Sequence, residues 1–296
     1  MSNTKLFLRQ TLVAIVAMCF SSFTEFEDDE PKKTDRPSQE VIQAKLDSIC
    51  EEGYNLYLAE RVNWLSTDSM LAHYGDEPFG GNIIWQPTAD SWGVVFFDSE
   101  QKNCVLEMCY NQQNGKMIVS YDKRPIRKEE RSRLDLKMLM FKNGLEKYGE
   151  KIRYDKECGG PNFDFIRIND SIVRLYILQG TVHHNIIPFG NDYSIDFDNE
   201  GNALCFRQYH KSLLAMKTVD DSGKPAESVY HSNTKDNPYI TPTDVCNFLL
   251  YRGSMKQTNI ISPALGGMII YDASTNSCVF LSTEALERIW NHQKNK

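Results

Sequence analysis

The chain has 296 residues, which suits one large domain or two ordinary ones, and its 41% hydrophobic and 11% aromatic content is ample for a folded core. Its formal net charge is −7. An acidic chain has no electrostatic reason to bind nucleic acid or an anionic membrane surface, so both are excluded as expected partners.

Residues 1–22 are predicted to be a signal peptide. Lys5 and Arg9 precede an apolar run over 11–20, which is too short to span a bilayer and ends at two small serines. A charged spacer over 23–37 follows. We therefore expect an exported protein, in the periplasm, the cell envelope or the extracellular space. A lipid anchor at Cys19 is the second possibility, although Met18 is unusual before a lipidated cysteine.

Eight cysteines are present, and seven remain after removal of the signal peptide. Seven is an odd number and no Cys-x-x-Cys pair occurs, so most of them are predicted to be small buried hydrophobic residues. Export would permit disulfides, but the spacing does not predict which cysteines pair.

The first half, 38–155, is predicted to contain a long helix, a set of strands and a second helix. Residues 38–72 show apolar residues at helical spacing, with Gly53 as a possible break and with Glu60 and Trp64 one turn apart. We expect this helix to pack on a sheet, in preference to lining a pocket. Strands are predicted over 82–85, 93–98, 104–110 and 116–121, and a charged amphipathic helix over 127–149.

The second half, 156–296, is predicted to be strand-rich, with a polar break around Gly159 and Gly160. Helices are expected after Thr241 and over 284–291. Strands are predicted over 164–167, 171–179, 193–198, 203–209, 213–219, 259–261, 267–272 and 278–281. The fold class is therefore α+β, with antiparallel or mixed sheets and flanking helices.

The segment 230–251 is the most patterned part of the sequence and is predicted to be a loop that leads into a helix. Thr241 is predicted to cap this helix and Pro242 fits its first position. Asp244 falls at the third position, where a carboxylate meets the positive end of the helix dipole. Upstream lie His231 and Asn233, so the pattern is His-x-Asn, ten residues, then Asp.

This pattern resembles the metal-site segment of the JAB/MPN (JAMM) isopeptidase fold, over about twenty residues. That family's pattern is His-x-His, ten residues, Asp, with a Ser or Thr three residues before the Asp. His231, Thr241 and Asp244 match it, whereas Asn233 replaces the second His and Thr234 replaces the usual Pro. No convincing upstream glutamate, the family's general base, is present. The resemblance implies a zinc site at His231 and Asp244, with Asn233 and Thr241 in support.

Four of the six histidines fall within about fifty residues of one another: His183, His184, His210 and His231. Adjacent strand ends would bring His210 and His231 to Asp244, which predicts a metal site of these three residues. Four unrelated histidines are the alternative. Two functions follow. The first is a binding protein with a degenerate JAB/MPN-like module, and the second is a metal-dependent, peptidase-like hydrolase with zinc as cofactor. A structural, surface-tethered module is a third possibility.

Overall fold

The computed structural model describes residues 36–220 and 222–294. The predicted signal peptide and Cys19 lie outside these residues, as does all of the spacer except residues 36 and 37. The chain forms two compact units. The central unit is residues 54–215, and the terminal unit combines the described residues up to Gly53 with those from Met216 onward. The boundary predicted near residue 155 lies inside the central unit.

Helix α1, Gln39–Tyr74, is continuous through Gly53 and crosses from the terminal unit into the central unit. Gly53 does not break the helix. A Cβ atom at this position would lie 2.5 Å from Val245 Cβ and 2.9 Å from the Pro242 carbonyl oxygen. The glycine therefore allows a neighbouring helix of the terminal unit to approach the α1 backbone, a packing role that sequence periodicity does not reveal.

The first sheet of the central unit is antiparallel, with the order β1-β2-β3-β4 and β5 paired with β3. Its central strand β2 is buried at six consecutive positions, as expected of a strand covered on both faces. The strands are β1 (Phe79–Thr88), β2 (Ser91–Asp98), β3 (Asn103–Asn111), β4 (Met117–Ser120) and β5 (Arg124–Pro125).

Helix α2, Lys128–Tyr148, connects the first sheet to the second and continues into a short 3₁₀ turn, Gly149–Lys151. Leu134 packs with buried residues of the first sheet, including Val95. Met140, two turns later, packs with residues of the second sheet, including Leu175. One helix thus contributes to two apolar clusters of the central unit.

The second sheet of the central unit is antiparallel, with the order β6-β7-β9-β10. Strands β8 and β11 lie outside this sheet, and β8 falls in a segment where no strand is predicted. The strands are β6 (Pro161–Asn169), β7 (Ile172–Gln179), β8 (Ile186–Phe189), β9 (Tyr193–Phe197), β10 (Ala203–Gln208) and β11 (Leu214–Lys217).

The terminal unit contains a four-stranded mixed sheet with the order β12-β13-β14-β15. Strand β12 pairs in parallel with β13, and the other two pairings are antiparallel. The parallel pair requires a crossover, and helix α3 supplies it. The elements are β12 (Ser228–Ser232), α3 (Pro242–Tyr251), β13 (Gln257–Ser262), β14 (Gly267–Asp272), β15 (Ser277–Ser282) and α4 (Thr283–Lys294).

The α+β class is confirmed. Within the described residues, no helix is both long and apolar enough to cross a membrane. One local expectation is wrong: the start of the patterned segment is a strand, β12, where a loop is predicted. Val229 and His231 alternate inward there, and the strand is fixed by its pairing with β13.

Candidate functional site

His231 and Asp244 come together inside the terminal unit. His231 lies on β12 and Asp244 lies in the first turn of α3, and both side chains are buried. Nε2 of His231 is 3.7 Å from Oδ1 of Asp244. The strand–loop–helix path thus places an imidazole beside a carboxylate in a water-poor environment.

The start of α3 is a capping box, as the sequence predicts. Oγ1 of Thr241 accepts a hydrogen bond from the Asp244 backbone N–H at 3.1 Å, and Oδ2 of Asp244 accepts one from the Thr241 N–H at 2.9 Å. Pro242 occupies the first turn, where no N–H partner is needed. One oxygen of Asp244 therefore caps the helix, and the other is the one that approaches His231.

Asn233 follows β12 and anchors the loop that leads to α3. Its Nδ2 donates to the Tyr239 carbonyl oxygen, and its backbone N–H donates to the Ile261 carbonyl oxygen at 2.9 Å. Among the described residues, no group donates a hydrogen bond to the buried Oδ1 of Asn233. The side chain that stands in place of the family's second histidine is thus engaged in loop structure through its nitrogen.

A zinc ion suits part of this arrangement. Two ligands of a tetrahedral zinc ion lie about 3.3 Å apart, because each bond is about 2.0 Å long. The 3.7 Å between His231 Nε2 and Asp244 Oδ1 is close to that spacing. Asn233 offers an amide oxygen, a donor that suits harder cations than zinc. His231 and Asp244 therefore fit as two zinc ligands, and Asn233 does not fit as the third.

His210, the third predicted ligand, belongs to the central unit and is held there by Asp192. Nδ1 of His210 lies 3.0 and 2.9 Å from the two carboxylate oxygens of Asp192, and the His210 backbone N–H donates to the same carboxylate at 3.1 Å. This fixes the orientation of the ring. His183 and His184 are exposed. The three-residue metal site stays a prediction.

A second polar site, which the sequence signals only in part, lies inside the central unit. A cavity of about 490 Å³ opens between α1, α2, β1 and β6. Glu60 and Trp64, noted above at helical spacing, both line it. The other lining residues are Asn63, Thr67, Asp68, Asn82, Lys137, Phe141, Pro161, Asn162 and Phe163. Glu60 and Trp64 therefore do line a pocket, contrary to the expectation that they serve only to pack the helix on a sheet.

Glu60 is the most deeply buried residue of this cavity lining. Its Oε1 accepts hydrogen bonds from Trp64 Nε1 at 2.8 Å and from Asn162 Nδ2. Burial raises the pKa of Glu60 well above its usual range, and the neighbouring Asp164 carboxylate raises it further. Burial also raises the pKa of Asp164. Because the pKa values of both carboxyl groups are raised, the fold favours a state in which the pair holds at least one proton.

Lys137 brings a positive charge to the same cavity. Its Nζ donates to the backbone oxygen of Asn82 at 2.9 Å and to the side-chain oxygen of Asn82 at 3.0 Å. Asn82 in turn donates to Asn63. Burial lowers the pKa of Lys137 to about 8, against the opposing effect of Asp164. Lys137 therefore remains mostly protonated at neutral pH.

The fold and sites define an α+β protein of two compact units, each with a buried acidic residue beside a basic one. No protein-family model matches the chain, and no curated protein sequence matches it either. Its function therefore has to be argued from the geometry of these sites.

Proposed function

We propose that the protein is exported and acts by binding, and that its terminal unit is a JAB/MPN-like module without hydrolytic activity. The support is the order of parts in that unit. His231 lies on a strand, a loop contains Asn233, and the capping box of Thr241 and Asp244 opens the following helix. His231, Thr241 and Asp244 follow one another in the order of the His, the Ser or Thr and the Asp of the motif that the sequence resembles.

The residue type and hydrogen bonding of Asn233 are the reason to propose that this unit does not hydrolyse a substrate. A catalytic zinc site takes three protein ligands and leaves one position for water. At the position of the second histidine the chain has an amide, and its nitrogen is bound to the Tyr239 carbonyl oxygen. With one oxygen of Asp244 committed to the helix cap, this segment is better suited to holding the loop than to activating water.

A metal-dependent, peptidase-like hydrolase is the second candidate. One specific observation favours it: the separation of 3.7 Å between His231 Nε2 and Asp244 Oδ1 is close to that of two ligands of one ion. The third ligand in this alternative is His210, as predicted from the sequence.

The deciding experiment is elemental analysis of the purified mature protein after incubation with zinc and gel filtration. Wild type is compared with His231→Ala, Asp244→Ala and Asn233→His. For a binding module we expect far less than one zinc per chain in wild type. Asn233→His, which restores the family pattern, is expected to take up about one zinc per chain.

Asn114→His is the matched control, because Asn114 lies in an exposed turn of the central unit. It is expected to leave the zinc content unchanged. About one zinc per chain in wild type, lost in both His231→Ala and Asp244→Ala while circular dichroism shows them folded, would reject the binding proposal in favour of the hydrolase.

A further inference from the structure

Part of the cavity lining of the central unit is apolar. Trp64, Phe141, Phe163 and Pro161 contribute to its lining, and the rings of Phe141 and Phe163 stand edge to face with centroids 5.0 Å apart. Aromatic walls of this kind bind flat, C–H-rich faces of ligands. A wholly polar ligand would leave these apolar side chains without a matching contact.

The same lining also contains polar groups, which need hydrogen-bonding partners on the ligand. Among the residues that the structure describes, Lys137 donates hydrogen bonds to Asn82 alone, in two bonds, so one N–H of its ammonium group is left for a ligand. Glu60 lines the cavity, and its Oε1 accepts hydrogen bonds from Trp64 and Asn162, two other lining residues. Asn63 and Asn162 add amide groups. Donors and acceptors are thus interleaved, as needed by a ligand whose own hydroxyl groups both donate and accept.

The charges in the cavity nearly cancel. The raised pKa values of Glu60 and Asp164 favour a proton shared between them, and Lys137 supplies a positive charge beside them. Asp68 is exposed at the rim, where water screens it. A strongly charged ligand would therefore gain little here and would lose its own hydration.

We propose that this cavity binds a neutral polyhydroxylated ring, such as one sugar unit of an oligosaccharide. Such a ring carries C–H bonds on its faces and hydroxyl groups along its edge. Its faces would lie against Trp64 and the phenylalanines, and its hydroxyl groups would meet Glu60, Lys137 and the asparagine amides. This site is separate from His231 and Asp244 and does not depend on the function proposed for them.

The test is saturation-transfer NMR followed by calorimetry with the full-length mature protein. The ligands are glucose, galactose, mannose and N-acetylglucosamine, with glucuronate and glucosamine as charged counterparts. We expect at least one neutral sugar to bind with a dissociation constant of about 0.1–10 mM, a range typical of a single small polar ligand. The charged counterparts are expected to bind more weakly.

Two lysines of α2 provide a matched pair of variants. Lys137→Met is expected to weaken sugar binding about tenfold, because a charged hydrogen bond is lost. Lys142→Met, at an exposed position of the same helix, is expected to leave binding unchanged. Trp64→Phe, which keeps a ring on the wall, is expected to weaken binding less than Trp64→Ala.

Three results would overturn the proposal. The first is that no neutral sugar binds to folded wild type. The second is that Lys137→Met and Lys142→Met bind a sugar equally well. The third is that a charged counterpart binds more tightly than every neutral sugar. Thermal unfolding of each variant separates loss of binding from loss of fold.

Discussion

At the scale of single residues, burial of the Glu60–Asp164 pair makes the stability of the fold depend on pH. Oε2 of Glu60 and Oδ2 of Asp164 are both buried and accept no hydrogen bond from any described group. A proton held between them would satisfy both oxygens. The pair lies in a protein interior where ionising both groups would cost free energy, so the folded state takes up a proton that the unfolded chain releases near neutral pH.

This proton uptake predicts a falling stability with rising pH, and Glu60→Gln should remove much of it. The folded-state pKa of Glu60 lies well above its usual value of 4.5. The contribution of Glu60 to stability is therefore fully present below pH 4.5 and is lost as pH rises through the folded-state pKa. With rising pH, the free energy of unfolding of wild type should fall relative to that of Glu60→Gln, with a limiting slope of about 1.4 kcal/mol per pH unit.

Urea denaturation at several pH values between 4.5 and 7.5 measures this difference. Lys137 stays mostly charged over that range, since its pKa is about 8, and glutamine retains an oxygen for Trp64 and Asn162. Glu146→Gln, on the exposed face of α2, should give a curve parallel to that of wild type. A parallel curve for Glu60→Gln as well would mean that Glu60 is ionised in the fold.

The cavity also shows which contacts between single residues can be predicted from the sequence. Glu60 and Trp64 are one helical turn apart, so their proximity could be predicted from spacing alone. Asn162 is 102 residues from Glu60, and Lys137 comes from another helix. Their convergence depends on tertiary packing. The capping box of Thr241 and Asp244 could be predicted because it is a local motif.

At the scale of elements, the hairpins are determined by local sequence, whereas β12 is determined by pairing with a strand distant in sequence. The β2–β3 and β9–β10 hairpins could be predicted because Asp98 and Asp198 close their turns by accepting nearby backbone N–H groups. Strand β12 could not, because β13, its one partner among the described strands, lies beyond the loop and helix α3. Its residues carry no local signal that outweighs the polar His231 and Ser232.

Helix α2 provides a prediction at this scale through its one glycine, Gly144. Alanine normally stabilises a helix relative to glycine by up to about 1 kcal/mol. At Gly144, however, a Cβ atom would lie 2.9 Å from Phe197 Cζ and 3.1 Å from Ile195 Cδ1. We expect Gly144→Ala to lower the free energy of unfolding by about 1–3 kcal/mol, because it overpacks the interface with the second sheet.

Gly149, where α2 passes into the 3₁₀ turn, is the matched control for Gly144. It has helical dihedral angles, and its nearest neighbour to an added Cβ would be Leu145 Cβ at 3.9 Å. Gly149→Ala should therefore be neutral or slightly stabilising in thermal unfolding. Equal melting temperatures for the two variants would show that the helix moves away from the sheet at little cost.

At the scale of the whole molecule, the compartment in which the protein folds determines whether two of its cysteines form a disulfide. Cys50 lies on α1 and Cys278 on β15, both in the terminal unit, and their Sγ atoms are 3.0 Å apart. That is about 1 Å longer than a disulfide bond. Gln43 holds the helix to the strand through the Cys278 carbonyl oxygen at 2.9 Å. The structure thus brings together two cysteines whose proximity cannot be predicted from their spacing in the sequence.

We therefore expect a Cys50–Cys278 disulfide in the protein produced in an oxidising compartment. The two thiols would lose two protons and two electrons to a disulfide oxidant, such as oxidised glutathione, which is reduced to its thiol form. The neighbouring Cys50 thiol and burial raise the pKa of Cys278, so oxidation is expected during folding and not after it. Closing a loop of this length would add on the order of 5 kcal/mol to the free energy of unfolding.

Intact mass and peptide mapping without reduction test this bridge in protein produced in an oxidising compartment. The oxidised chain should be about 2 Da lighter than the reduced one, and Cys50→Ser should abolish the difference and lower the melting temperature. Cys205→Ser, at an exposed position, is the control and should change neither. If this protein alkylates at both Cys50 and Cys278 after unfolding without reductant, the bridge is absent. The sulfur contact is then a packing contact of two thiols.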